Sequence, residues 1–490
     1  MTLPADTPGT SSGSSVIPEK RGEAVASRVA VVGTGYIGTV AATCLASVGR
    51  EVVGLEIDEG KLDQLQRGIP PFFENGLPEL LASSLASGRL WFTADPAEAM
   101  ANSDVVFLCV GTPPGLDGRP NLADAEAAAS VIGRCLNHHH VMVHKSTVPI
   151  GSGGWLASVV RDSQRAASAG VPSFSVVANP EFLRQGSAIE DFLHPERIVL
   201  GSDDPRALAT VVEVYRPIIE QSFNGSNGRR PFLVTTDLVT AEAIKYASNA
   251  FLATKISFIN EVANICDRVG ADVATVGTAM GLDSRIGNRF LDPGLGWGGS
   301  CFGKDLAGLI VTAQDNGYEP ELLKATAAVN ARQRRRVTEN LLDRFESLEG
   351  RRVGVLGLAF KPGTDDLRDA PAVTIAWQLL ASGATVIAHD PVVRSVPGLP
   401  EVEIVDDPYA VADDADAVVL VTEWPEYRLL DLVALRSRMR GRFLLDGRNC
   451  LDPYAALAAG LEYQGVGRPG RVPTENVSAG FGEAAAAVLD

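Results

Sequence analysis

One thiol in this chain sits in a dense glycine frame, Gly296-Trp297-Gly298-Gly299-Ser300-Cys301-Phe302-Gly303-Lys304-Asp305, just ahead of the helical pattern LAGLIVTAQ. Glycines at that density let backbone amides turn toward a ligand. A cysteine just before a helix N-terminus, with Lys304 close by, is expected to have a lowered pKa and to act as a covalent nucleophile. The competing reading of a lone cysteine is a small buried hydrophobe. That reading is kept for Cys44, Cys109, Cys135, Cys266 and Cys450.

A second group lies upstream. Lys245, Asn249, Leu252, Ile256, Ile259 and Ala263 recur at helical spacing on one stripe that turns apolar after its first turn and a half. Lys245 and Asn249 then share the polar end of a buried face. A desolvated lysine needs a partner, and a developing oxyanion supplies one. A pair with Glu242 at i−3, or a snorkelling side chain, is the alternative. Glu181, in Asn179-Pro180-Glu181-Phe182-Leu183 at a strand end, is a candidate general base or substrate contact, against a solvated loop carboxylate. Lys145-Ser146-Thr147 also follows a strand and could place a hydroxyl near the site. Lys361 and Arg368 could hold phosphates, although each alone reads as a surface charge. The run His138-His139-His140 with His144 lacks the Cys or carboxylate pattern of a metal site. Arg334-Arg335-Arg336 reads as a solvated helix face.

Gly33-Thr34-Gly35-Tyr36-Ile37-Gly38 is a GxGxxG turn directly after an apolar run and ahead of a helical one. The first glycine allows the tight turn, the second lets the backbone approach a pyrophosphate, and the third lets helix pack on strand. Glu56 ends the next strand at about the expected 20-residue distance, where a carboxylate accepts hydrogen bonds from ribose hydroxyls. Glu56, Asp58 and Glu59 would repel a 2′-phosphate, so NAD is expected rather than NADP. A packing turn with no nucleotide is the alternative.

These groups need elements to hold them. RVAVVG (28–33), EVVGLEI (51–57), DVVFLCVG (104–111), HVMVHKS (140–146) and FSVVAN (174–179) read as strands buried on both faces. Stretches such as 37–48 and 122–136 read as helices between them, which implies an α/β fold with a parallel, doubly wound sheet. One helical segment runs from Asp237 to about Val269 without Pro or Gly, long enough to bridge domains. A second series follows in RRVGVLGLAF (351–360), ATVIAHD (384–390), DAVVLVT (416–422) and RFLLDGRN (442–449). Its first turn lacks GxGxxG, so no second dinucleotide is expected. The expected organisation is a disordered arm at 1–27, a nucleotide-binding domain at 28–236, a helical middle at 237–345, a second Rossmann-like domain at 346–467 and a tail at 468–490 with a short helix at EAAAAVL.

The 490 residues carry 43 Lys+Arg against 60 Asp+Glu, a net charge of −17, which argues against nucleic acid and anionic membranes as partners. With 46% hydrophobic and 21% charged residues the chain reads as an ordinary globular protein. No apolar run reaches the roughly 18 residues of a membrane span, and the polar N-terminus lacks a signal-peptide core, so a cytoplasmic location is expected. No cysteine pair forms CxxC, and in a reducing compartment none needs to pair.

Over about residues 28–465 these motifs together resemble the UDP-glucose/GDP-mannose dehydrogenase family. The likeness rests on GTGYIG, GTPPGLDG, KSTVP, NPEFLRQGSAIEDFLHPERIV, AEAIKYASNAFLATKISFINEVANIC, SRIGNRFLDPGLGWGGSCFGKD, LAFKPGTDDLRDAP and LDGRN. It implies an enzyme with two Rossmann-like domains that oxidises the C6 alcohol of a nucleotide sugar to a carboxylate with two NAD, for polysaccharide biosynthesis. Phe302 within GGSCF favours the UDP-glucose branch, giving UDP-glucuronate; GDP-mannose or a UDP-N-acetylhexosamine is the near alternative. Further off stand a two-electron hydroxyacid dehydrogenase and a nucleotide sensor on an inactive scaffold.

By that resemblance Cys301 is the nucleophile, and Lys245 and Asn249 stabilise the oxyanion. Asp305 and Thr147 hold and activate a water, and Glu181 is a carboxylate for base catalysis and thioester hydrolysis. Gly33, Gly35, Tyr36, Ile37, Gly38, Glu56, Lys61, Thr112, Thr147, Lys304 and Arg368 face the cofactor. Glu181, Phe182, Leu183, Arg184, Lys245, Asn249, Phe290, Leu291, Gly294, Gly298, Lys361 and Arg448 surround the sugar nucleotide, and Arg285 reaches a neighbouring subunit's site. No metal is implied. A homodimer or higher homo-oligomer through the long helix is. Glu56 stands where the family usually has Asp, Trp297 where it has Phe, and Gly303 where it has Pro or Gln.

Overall fold

The computed structural model describes residues 28–115, 118–167 and 172–468. The arm assigned to 1–27 and the EAAAAVL segment of the tail lie outside the described residues, as do positions 116–117 of the GTPPGLDG motif.

The first sheet holds β1 (Val29–Val32), β2 (Val52–Leu55), β3 (Leu90–Thr93), β4 (Val105–Leu108), β5 (His140–His144), β6 (Phe174–Ala178), β7 (Arg197–Gly201) and β8 (Phe232–Thr236). Their order is β3-β2-β1-β4-β5-β6-β7-β8. β-branched and other apolar residues fill the central strands because helices cover both faces. Val29 and Val31 face one core with Val105 and Phe107. Ala30 and Val32 face the other with Val106 and Leu108. The sheet departs from all-parallel at one seam, where β7 runs against β6 through the single pair Ala178↔Gly201. The chain between them turns back on itself around the six-residue helix Ala188–Leu193 rather than crossing over the sheet.

The second sheet holds β9 (Arg352–Leu356), β10 (Thr385–His389), β11 (Glu403–Ile404), β12 (Ala417–Leu420), β13 (Phe443–Asp446) and β14 (Glu462–Gly465). Its order is β11-β10-β9-β12-β13-β14, all parallel. Counted from its own first strand, each sheet begins 3-2-1-4-5-6. Each therefore reverses direction between its first and fourth strands, where α/β sheets bind ligands at the strands' carboxyl ends. Strands β3, β7, β8, β11 and β14 escape the sequence pattern. Four-residue β3 lies at an edge, β11 has two residues and β8 leaves Phe232 exposed, whereas β7 does bury an apolar run, Ile198, Val199 and Leu200, that the sequence pattern did not single out.

Between the sheets runs the 32-residue helix Leu238–Val269. Asp237 caps its start by accepting from the Thr240 N–H, and Gly270 ends it in the left-handed region at φ 77°. The helices Phe302–Asp315 and Glu321–Phe345 pack against it. No helix among the described residues is long and apolar enough to cross a membrane.

Candidate functional site

The glycine loop before Cys301 is shaped by what it touches. A Cβ on Gly298 would lie 2.3 Å from the Asp369 carbonyl oxygen, and one on Gly299 2.7 Å from the Phe360 ring. Gly299 also needs a left-handed φ of 85°. The loop thereby lies directly on the turn that follows β9. Trp297 is gripped from the other side. Its N–H donates to Asn330 Oδ1 (2.8 Å), its carbonyl accepts from Asn330 Nδ2 (3.0 Å), and its indole donates to Ser257 Oγ (3.0 Å). Cys301 then caps the helix Phe302–Asp315, its Sγ 3.6 Å from Ser300 Oγ.

Around that sulfur the long helix and the loop after β6 bring buried charges together. Lys245 Nζ donates to Glu181 Oε1 at 2.9 Å, both side chains 5% exposed. Glu181 Oε2 accepts from the Leu183 N–H. Asn249 Nδ2 and Lys304 Nζ each donate to Asp305, at 2.6 Å. Burial works against the Lys245 charge, but Glu181, Cys301 and Asp305 outweigh it and hold the ammonium above its ordinary pKa. Burial likewise opposes ionisation of Glu181, and Lys245 overcomes it to keep the carboxyl below the usual range. The lysine's partner is thus Glu181 rather than Glu242. Glu242 instead accepts from the Gly151 and Gly153 N–H groups at a helix start. Thr147 lines a small cavity with Lys245 and Tyr246.

The expected lowering of the Cys301 pKa is reversed. Burial and the Glu181 carboxylate push the thiol up, and Lys245 only partly offsets them. Sequence position predicts the helix N-terminus and Lys304; it does not reveal that Lys304 is already paired with Asp305. A second correction concerns Arg334-Arg335-Arg336. Only Arg335 is exposed, whereas Arg334 is buried and Arg336 pairs with Asp267.

At the first sheet's turn, Gly33 has φ 87° and a Cβ there would meet Val110 at 2.8 Å. A Cβ on Gly38 would lie 1.9 Å from the Gly33 carbonyl oxygen, so that glycine sets helix-to-strand packing. Gly35 differs: a Cβ there meets nothing within 4 Å, and its φ is an ordinary −69°. Nothing inside the protein requires glycine at 35. The space over its backbone is open, and the turn fits a dinucleotide. Ile37 joins the core, while Tyr36 stacks 4.8 Å from Phe72 and donates to Glu74. Glu56 accepts from Thr34 Oγ1 (2.7 Å) and the Asp58 N–H (2.9 Å). Lys61 is exposed on the following helix. Thr112 donates to the Thr147 carbonyl (2.7 Å), joining two loops of the crevice. The turn after β9 is closed to a second dinucleotide: buried Asp390 accepts from the Leu358 and Ala359 N–H groups that a phosphate would need.

A cleft of ≈ 580 Å³ opens between the two sheets, lined among others by Tyr36, Phe73, Gln185, Thr364 and Arg368. Gln185 reaches across to Asp366 (2.8 Å), which also holds Arg368. On the second sheet's side, Lys361 lies 5.7 Å from the Phe360 ring, its pKa lowered by burial. Arg448 donates to the Val421 carbonyl, and a Cβ on Gly294 would lie 2.9 Å from its Nη1. Phe290, at φ 65°, stands 6.4 Å from Phe302. Phe182 lies under Arg197 (4.0 Å) and Lys245 (5.5 Å). Arg184 is paired with Asp191, and Leu291 is in the core. Arg285 stands apart, 87% exposed and paired with Asp283.

Several residues here hold places that the sequence reading did not give them. Asn330, Gln333 and Arg334 are buried polar residues at i, i+3 and i+4, a face that the neighbouring run of arginines hides in the sequence. Asn260 holds the Gly294 N–H. Lys145 is buried between Asn179 and Tyr215, its pKa pushed down by burial to about 8. His140 and His144 are buried and burial pushes His144 down to about 4, so its 3.3 Å contact with Glu242 is between a neutral ring and a carboxyl group.

Three family models match the chain in order: the UDP-glucose/GDP-mannose dehydrogenase family NAD binding domain at residues 27–219, its central domain at 239–332 and its UDP binding domain at 354–453. The UDP-glucose 6-dehydrogenase TuaD of Bacillus subtilis is 44% identical over 456 residues, 91% of this chain and 95% of that protein. A UDP-glucose 6-dehydrogenase of Rhizobium meliloti is also 44% identical, over 90% of this chain and 100% of that one. Among solved structures, a UDP-glucose dehydrogenase from Pyrobaculum islandicum superposes with a TM-score of 0.82 at 40% identity, covering 92% of this chain and 100% of its own.

Proposed function

The chain belongs to the UDP-glucose/GDP-mannose dehydrogenase family and is an NAD-dependent dehydrogenase, and from that premise we propose that it oxidises UDP-glucose at C6 to UDP-glucuronate, using two NAD per sugar and Cys301 as covalent nucleophile. The observation that carries this reading is the buried set Glu181–Lys245 and Asn249–Asp305–Lys304 gathered around one sulfur. The 44% identical relatives named as acting on UDP-glucose support the substrate.

In this reading residues 28–236 hold NAD, with the pyrophosphate over Gly35 and the Tyr36–Ser47 helix start, Glu56 on the ribose side, and Lys304 and Arg368 toward the reacting end. When bound, NAD supplies the hydride acceptor for both oxidations. Asp305 and Thr147 hold a water that takes the C6 hydroxyl proton. Sγ of Cys301 then adds to the aldehyde carbon, giving a thiohemiacetal whose oxygen faces the Lys245 ammonium and the Asn249 amide. Glu181 keeps Lys245 charged, so positive charge waits where the oxyanion forms. Loss of a second hydride leaves a thioester, and water activated at Glu181 releases carboxylate and restores the thiol. Burial holds the thiol protonated, and its proton passes to the former carbonyl oxygen on addition. Residues 346–467, with Lys361 and Arg448, hold the UDP moiety against Gly294 and Gly298. The helical middle, 237–345, joins the two. Exposed Phe251, Phe258 and Ile265 on its long helix support self-association there.

The test is the NADH yield per sugar from purified protein supplied in turn with UDP-glucose, GDP-mannose and a UDP-N-acetylhexosamine. Two NADH per UDP-glucose is expected, and Cys301→Ala should stall at the aldehyde. One NADH per sugar from the unaltered protein, or preference for another sugar nucleotide, refutes the assignment.

A further inference from the structure

Arg334 occupies a junction. Its Nη2 donates to the Trp297 carbonyl (2.6 Å) and the Asp369 carbonyl (3.1 Å). Its Nη1 donates to Asp369 Oδ1 (2.6 Å) and Thr374 Oγ1 (3.2 Å). One buried guanidinium thereby ties the Glu321–Phe345 helix to the glycine loop before Cys301 and to the turn carrying Arg368. Asp369 holds a φ of 51°, uncommon for a residue with a side chain, and its carbonyl is the atom against which Gly298 packs. Gly298 and Gly299 have no side chains with which to anchor themselves. The path of the backbone into Cys301 therefore depends on what grips the carbonyl of Trp297 and the turn beneath it. Arg334 is the charged group that grips both. A lysine would keep the charge and lose the fork.

We propose that Arg334 is a positioning residue that sets the reach of Cys301 Sγ to the aldehyde carbon, and so serves the second oxidation and not the first. This rests on the nucleophilic role of Cys301. The first oxidation takes a hydride from C6 to the nicotinamide cofactor and the proton of its hydroxyl to water, and makes no bond to sulfur. The second needs a new carbon–sulfur bond, the thiol proton passing to the former carbonyl oxygen, before that oxygen gives its proton to water and the carbon its hydride to the nicotinamide cofactor. A displaced sulfur harms only that half.

Arg334→Lys and Arg334→Gln test this, each assayed with UDP-glucose and with its C6 aldehyde, with hydrazine to trap released aldehyde. The expected result is NADH per UDP-glucose falling from two toward one, trapped aldehyde appearing, and oxidation of supplied aldehyde slowed about 100-fold by a misplacement near 1 Å. Alcohol oxidation changes little, and Arg334→Lys lies between. Cys301→Ala is run beside them. If it still yields two NADH, the nucleophile reading falls and the role of Arg334 with it. If it stalls while folded Arg334 variants lose both half-reactions equally, or neither, only the role of Arg334 is overturned. Should Arg334→Gln fail to fold, Arg334→Lys decides by the same ratio.

Discussion

Replacing Lys245 by methionine separates two things its ammonium does. It neutralises Glu181 in a site where both side chains are 5% exposed, and in the proposed mechanism it faces the developing oxyanion. Removing one partner of such a pair costs about 3–5 kcal/mol of stability, because the other charge stays buried alone. Losing an oxyanion donor costs about 10²–10³ in kcat. The stability loss has a sign in pH. In the unaltered protein the depressed Glu181 pKa contributes stability above the unfolded carboxyl value of about 4.3, lost as pH falls through the folded value. The raised Lys245 pKa contributes stability below about 10.4, lost as pH rises through its folded value. In Lys245→Met the charge that held Glu181 down is gone and burial pushes its pKa up. The deficit must then grow as pH rises from the parent's depressed Glu181 value and level off above the variant's raised one. Guanidinium unfolding midpoints at pH 5 and pH 8, beside kcat with UDP-glucose, read both effects. Adding Glu181→Leu should recover most of the stability and none of the activity. A single variant within about 1 kcal/mol of the parent, a deficit equal at both pH values, or an active double variant would refute the electrostatic account.

Gly35→Ala should fold normally yet weaken NAD binding at least about tenfold by fluorescence titration. Gly38→Ala should lose stability through its backbone clash; equal NAD affinity for Gly35→Ala and the parent would refute a pyrophosphate over Gly35. Iodoacetamide should label Cys301 with a midpoint above that of an ordinary thiol, and Glu181→Gln should lower it by removing a carboxylate that raises it; an unmoved midpoint contradicts this. Burial holds His144 near pH 4 against about 6.5 unfolded. The unfolded chain therefore binds more protons in that window, and stability drops by at most about 3 kcal/mol as pH falls through it. His144→Gln should flatten that acid slope in unfolding midpoints, and an unchanged slope would mean another group carries it.

Local chemistry made much of the fold legible. Buried β-branched runs and the GxGxxG spacing announce β1, its turn and the following helix because each needs only neighbours in sequence. The cap at Asp237 and the stop at Gly270 mark the long helix for the same reason. The edge strands β8 and β11 gave no such signal, since their pairing is decided by the strand beside them. Tyr36 was readable as part of a motif, but its bond to Glu74 was not.

The residues of the site were likewise set by the sequence: a thiol in glycines, a lysine and an asparagine one turn apart, and a carboxylate after a strand. Tertiary structure decided who neutralises whom. Glu181 reaches Lys245 and Lys304 is paired with Asp305, and burial, with the Glu181 carboxylate next to it, moves the thiol pKa up and not down. Arg334 goes inside because a distant turn offers it Asp369. Charge identity is written residue by residue, but its energy depends on distance and burial, and those exist only once the long helix has been packed between two sheets.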